Sequence, residues 1–244
     1  MFYSMSPAYR KPGEFHKLVD INVPNCRMMK KFAVVLSGCG VFDGAEIHEA
    51  TLSLLAIARQ GGSYQVFAPD IPQHHVINHL TGEETRETRN VLMESARIAR
   101  GNIRDLKEFK PGEFDGLLLP GGFGAAKNLS SWAFEGADAS VLPELEDAIR
   151  DMIQAGKPVG ALCISPVILA RVLGEARITI GQDEGTAEAV ESLGATHVVT
   201  DHGEVVVDTD LKLVTTPCYM LDATIDQIAD GASNVVEAMI GLMK

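Results

Sequence analysis

No run of about 18 consecutive apolar residues occurs in this 244-residue chain, so nothing in it reads as a membrane-spanning helix. Cysteine is scarce. The four present, Cys26, Cys39, Cys163 and Cys218, never stand at CxxC spacing, and no HExxH accompanies the seven histidines. Local spacing therefore argues against a zinc site, and no metal is expected. So few cysteines in so long a chain also argue against a secreted disulfide framework, and a cytoplasmic location is expected. Basic residues are outnumbered 21 to 33, which leaves a net charge of −12. Nucleic acid and anionic membrane both reward positive patches, so neither is expected as a partner.

What is present is a globular composition, with 46% hydrophobic and 22% charged residues in a chain long enough for one full core. Residues 1–28 stand apart, with prolines at 7, 12 and 24 and no sustained periodicity. They lack the apolar centre of a secretory signal, and as a targeting peptide they are weak, since Glu14 and Asp20 interrupt the few basic residues. Met28-Met29-Lys30-Lys31 would make a natural start, so 1–28 is expected to be an expression leader or alternative start outside the fold. Residues 29–244 are expected to form a single domain.

After residue 30, buried-type strands alternate with helical periodicity. Phe32–Ser37, Tyr64–Ala68, Phe114–Leu119 and Val159–Leu162 read as strands. Residues 45–59, 88–100, 143–155, 166–173 and 185–193 read as helices, and the stripe Ile225, Ile228, Ala232, Val235, Val236, Met239 marks a final one. Short β-type stretches fall at 178–180, 198–200, 205–207 and 211–215. This alternation predicts an α/β fold, a mostly parallel sheet with helices on both faces. Ligands bind such sheets outside the carboxyl ends of the strands. The loops 37–44, 120–124 and 161–165 all fall there.

Gly160-Ala161-Leu162-Cys163-Ile164-Ser165-Pro166 has the form of a nucleophile elbow, with small residues two before and two after the cysteine and a proline suited to the next helix's first turn. A thiol at such a place gains from the helix amino terminus; the alternative is a buried cysteine at a strand end. Pro120-Gly121-Gly122-Phe123-Gly124 follows a buried strand, so its backbone N–H groups can face a ligand. The N–H groups of Gly122 and Ile164 together would make an oxyanion hole. Neither GxGxxG nor GxxxxGK[ST] fits that loop, which argues against a nucleotide. In Asp43-Gly44-Ala45-Glu46-Ile47-His48-Glu49, Glu46 or Glu49 would ordinarily be a favourable charge at a helix amino end.

Longer motifs carry a resemblance. Ser37-Gly38-Cys39-Gly40-Val41-Phe42-Asp43-Gly44, Glu46-Ile47-His48-Glu49-Ala50, Asn78-His79-Leu80-Thr81-Gly82, the stretch Pro120–Leu129, and Thr215-Thr216-Pro217 followed by Tyr219-Met220-Leu221 resemble the ElbB family. That family lies in the PfpI-like branch of the class I glutamine amidotransferase superfamily and is described as glyoxalases and as enhancing lycopene biosynthesis. The resemblance runs from about Met29 to the carboxyl terminus. It implies a flavodoxin-like three-layer sandwich, Cys163 as nucleophile, Glu46 as the carboxyl group beside its sulfur, and a homodimer. Cys39, His48 and Asn128 fall in family-pattern segments and are expected as pocket residues.

Two departures restrict the activity. The late segment Thr216-Pro217-Cys218-Tyr219 has no histidine to complete a Cys–His–Glu triad, and Ile164 stands where PfpI-type proteases carry histidine. Glutamine amidotransferase activity is therefore not expected. The resemblance implies a cofactor-independent glyoxalase that converts glyoxal-type aldehydes to hydroxy acids, glyoxal giving glycolate. Protein deglycation, or a redox-sensing or small-ligand-binding role with vestigial catalysis, stands as the alternative.

Overall fold

The computed structural model describes residues 29–243. The expected leader, 1–28, lies outside the described residues. In chain order the elements are β1 (Lys31–Val35), α1 (Ile47–Arg59), β2 (Ser63–Ala68), α2 (Val91–Ile98), β3 (Ile103–Asp105), β4 (Gly116–Leu119), α3 (Phe123–Lys127), α4 (Trp132–Glu135), α5 (Pro143–Gln154), β5 (Val159–Leu162), α6 (Pro166–Leu173), β6 (Arg177–Ile178), α7 (Glu184–Ser192), β7 (Thr196–His197), β8 (Val206–Asp208), β9 (Leu213–Thr216) and α8 (Ile225–Leu242).

Seven strands form one sheet in the order β3-β2-β1-β4-β5-β9-β8. All neighbours are parallel except the edge pair β8–β9. Parallel strands need crossover helices, and those helices cover both faces. The alternation within β1 shows how. Phe32 and Val34 point into a core shared with Ala50, Ile57, Ile228 and Val235 of α1 and α8. Ala33 and Val35 point the other way, into a core with Leu145, Ile149 and Ile168 of α5 and α6. This is a flavodoxin-like α/β sandwich. Strand order reverses between β1 and β4, since β2 and β3 extend from one side and β5, β9 and β8 from the other. The loops after β1 and β4 diverge at that switch point, where a crevice is expected.

A two-stranded β6–β7 sheet stands beside the main one. No described helix is long and apolar enough to cross a membrane.

Candidate active site

β5 ends at Leu162 and α6 begins at Pro166, so three residues turn the chain from strand to helix. Cys163 takes the strain of that turn, with φ at 57°. A non-glycine residue in the left-handed region costs about 1–3 kcal/mol and persists only where its surroundings over-determine it. They do so here: the Cys163 N–H donates to the Thr216 carbonyl of β9 (3.0 Å), and the Ser165 hydroxyl donates to the Pro120 carbonyl (2.8 Å). The turn leaves the thiol 6% exposed at the base of a cavity.

Two glycines bring the second loop onto the sulfur. Gly121 packs so closely that a Cβ there would lie 2.5 Å from the Cys163 Cβ and 2.7 Å from Glu49 Oε2. Gly122 has φ at 98°, a conformation glycine adopts without penalty. The backbone N–H groups of Gly122 and Ile164 both reach the Cys163 sulfur. The first loop closes on the same place, with Glu46 N–H donating to the Gly121 carbonyl (2.9 Å) and Gly124 N–H to the Gly44 carbonyl (2.8 Å).

The carboxyl group hydrogen-bonded to Cys163 is that of Glu49. Its Oε2 accepts the Gly121 N–H (2.9 Å) and its Oε1 the Tyr219 N–H (3.2 Å). Glu49 is fully buried. Burial, and then the charge of Glu46, push its carboxyl up to about 8, against the two backbone donors. Burial thus favours its protonated form around neutral pH. Burial and the neighbouring Glu49 push the Cys163 thiol up in turn, while the Gly122 and Ile164 N–H groups pull it down. Thiol and carboxyl are one coupled pair, whose protons leave in steps that belong to both groups.

The cavity above the sulfur has a volume of about 410 Å³. Gly122, Cys163 and Ile164 form its floor, and Phe123, Trp132, Tyr219 and Met220 are among its walls. No group of three or more metal-ligating side chains occurs among the described residues.

Residues 40–224, the stretch that carries all of this geometry, match the DJ-1/PfpI family. The chain belongs to the DJ-1/PfpI family. Among relatives, it is 45% identical to the human glutamine amidotransferase-like class 1 domain-containing protein 3, mitochondrial, over 251 residues that take in 99% of this chain and 92% of that one. It is also 45% identical to the rat ES1 protein homolog, mitochondrial, over 88% of this chain and 85% of that protein. A crystal structure of an isoprenoid biosynthesis protein with an amidotransferase-like domain from Ehrlichia chaffeensis superposes with a TM-score of 0.81. It is 35% identical and covers 86% of this chain and 99% of that one. The expected cytoplasmic location does not stand, because both protein relatives are named as mitochondrial.

Within this DJ-1/PfpI site, the expected partners of Cys163 fall out differently. Glu46 is not the carboxyl on the sulfur. It stands at the N-cap of α1, where its Oε2 accepts the Glu49 N–H (2.7 Å). The helix then turns Glu49 inward, on the buried stripe with Ala50, Ser53, Leu54 and Ile57. Gly122 and Ile164 line the same cavity as Cys163. Cys39, His48 and Asn128 do not line the cavity. The Cys39 thiol interacts with Glu94, Arg97, Asp43 and Arg89, and is pushed up by burial and then by Glu94. Asn128 is scaffold: its amide donates to the carbonyls of Ser37 (2.8 Å) and Asp43 (2.9 Å) and its oxygen accepts the His74 N–H (2.9 Å). His48 reaches the cavity only through Tyr219, with Nδ1 2.8 Å from its hydroxyl. Tyr219 is a further site residue, lining the cavity and donating its N–H to Glu49, that the sequence expectations do not include. Its place directly after the Pro217-Cys218 turn, in the family-pattern segment, was the available signal.

Proposed function

We propose that this protein is a cofactor-independent glyoxalase of the ElbB type, converting 2-oxoaldehydes to 2-hydroxy acids through Cys163 and Glu49. The observation that carries this reading is the pair itself: a thiol on a strained elbow, hydrogen-bonded to a carboxyl group that titrates near 8, with two backbone N–H groups converging on the sulfur.

The working form is the pair with one proton between its two groups. As Sγ attacks the aldehyde carbon, the thiol proton passes to the Glu49 carboxylate and a C–S bond forms. The displaced π electrons settle on oxygen beside the Gly122 and Ile164 N–H groups. Glu49 then protonates that oxygen to give a hemithioacetal, and is a carboxylate again. It removes the proton from the sulfur-bearing carbon to give an enediolate whose charge lies on the neighbouring oxygen, and returns a proton to the adjacent carbon as the remaining hydroxyl proton passes from the sulfur-bearing carbon's oxygen to the neighbouring one. The product is a 2-hydroxyacyl thioester. Water adds to it, the C–S bond breaks, and the hydroxy acid and the thiol are released. For glyoxal the sum is one water added and glycolic acid formed.

The names of the human and rat relatives support a mitochondrial setting for this chemistry. The test is glyoxal consumption by the purified chain without glutathione, for wild type and Cys163→Ala. Loss of consumption in a folded variant supports the reading, and equal rates sink it. A redox role predicts the opposite pattern, with negligible turnover and selective oxidation of Cys163 by mild peroxide.

A further inference from the structure

The cavity over Cys163 is larger and more selective than glyoxal requires. Sites of about 300–1,000 Å³ hold drug-sized ligands, and this one, at about 410 Å³, leaves most of its space empty around the smallest dicarbonyl. Its walls carry three aromatic rings, those of Trp132, Phe123 and Tyr219, together with Val41 and Met220. Trp132 is buried and Phe123 is 49% exposed, so apolar surface runs from the interior of the cavity to its mouth.

Charge is as uneven as polarity. Among the described residues that line the cavity, Asp183 is the only charged one. It is the N-cap of α7, where Oδ1 accepts the Thr186 N–H (2.8 Å), and the Thr186 hydroxyl and then this N–H hold its carboxyl below the usual carboxylate range. Lys127 approaches from outside the lining: its ammonium lies 5.1 Å from the Phe123 ring centroid and donates to the Phe42 carbonyl (3.0 Å).

We infer that the site takes uncharged 2-oxoaldehydes bearing an aromatic or bulky apolar substituent, and that Asp183 is a specificity-determining residue that turns anionic ones away. The chemistry of turnover rests on the glyoxalase reading, whereas the selection rests on the cavity walls. An aryl group gains from burial against the aromatic walls, which is worth about a factor of ten or more. A carboxylate carried on that group meets the charge of Asp183, exposed at the rim of the cavity, at a cost of about fivefold at contact distance.

The test uses electrophiles that need no turnover. Phenacyl bromide has the shape of phenylglyoxal. Cys163 displaces its bromide, a C–S bond forming as the C–Br bond breaks. Its rate at Cys163, located by peptide mass and divided by its rate with free glutathione, is compared with the same ratio for bromoacetone and for 4-carboxyphenacyl bromide. The expected order is phenacyl bromide about tenfold above bromoacetone, and 4-carboxyphenacyl bromide about fivefold below phenacyl bromide. Asp183→Asn and Asp183→Ser keep a capping oxygen without the charge, and narrow the second gap to about twofold. Equal normalised rates for phenacyl bromide and bromoacetone overturn the substrate class. An undiminished second gap in both folded variants overturns the role of Asp183. Glyoxal consumption, measured in parallel, bears on the glyoxalase reading alone, and its failure leaves the alkylation ratios to judge the cavity.

Discussion

Replacing Glu49 with glutamine separates the two properties that burial gives this carboxyl group, its proton and its acceptor oxygens. Unfolded, the group ionises near 4.5; folded, near 8. Between those values the folded chain holds a proton that the unfolded chain releases. The stability this group contributes is therefore complete below about 4.5 and is lost as pH rises through about 8. At about 1.4 kcal/mol for each pH unit, levelling off as the folded group itself ionises, wild type gives up about 2 kcal/mol between pH 6 and pH 8. Glutamine has no such transition. It does have one acceptor oxygen where glutamate has two, so the N–H of either Gly121 or Tyr219 faces an amino group, at a pH-independent cost of about 1–3 kcal/mol. Relative to Glu49→Gln, wild type thus loses about 2 kcal/mol of stability between pH 6 and pH 8, whatever the offset between the two proteins. Urea denaturation of both proteins at pH 6, 7 and 8 measures it. Parallel pH profiles would refute the buried, protonated carboxyl.

The same ionisation governs rate: kcat/KM for glyoxal rises with pH and levels off above about 8, and a flat profile from pH 6 to 9 speaks against the Cys163–Glu49 pair as the titrating unit. Asn128→Ala removes three hydrogen bonds, two of them buried, and destabilises the fold by about 2–4 kcal/mol in thermal or urea unfolding, while the folded fraction keeps wild-type KM. An unchanged stability would return Asn128 to the list of pocket candidates. Gly121→Ala forces a methyl group against Cys163 and Glu49, and lowers kcat at least about tenfold with about 1–3 kcal/mol of lost stability; wild-type activity would show that the elbow tolerates a shift.

These predictions rest on Glu49, a residue the sequence points to only indirectly. The long elements are legible because period and punctuation agree. Val159–Leu162 and Pro166–Leu173 fall where the apolar run, the cysteine turn and the proline put them, and the last helix follows its stripe. The phase of α1 was harder. Ile47, Leu54, Leu55 and Ala58 suggest one apolar face, yet of the four only Leu54 is buried, and the buried face also carries Glu49 and Ser53. A glutamate can occupy that stripe because two backbone N–H groups and a sulfur satisfy it, and those partners come from the segments just after β4, β5 and β9, far away in sequence. Glu46, one turn earlier, is a charge at a helix amino end, as such a position ordinarily is, and there it caps α1. The short elements β3, α3 and α4 have three to five residues each, too few for a period to emerge. The convergence of the three loops is the most legible feature of the site, because strand order fixes it before any side chain is placed.

The most direct test of the Cys163–Glu49 mechanism is the product formed in heavy water. Incubated with glyoxal in D₂O without glutathione, the wild-type chain is predicted to yield glycolate carrying deuterium on its carbon, visible by proton NMR, because Glu49 exchanges its proton with solvent between abstraction and return. Cys163→Ala is predicted to yield none. Glycolate formation no faster than in a protein-free control, or equal formation by Cys163→Ala, would contradict the account.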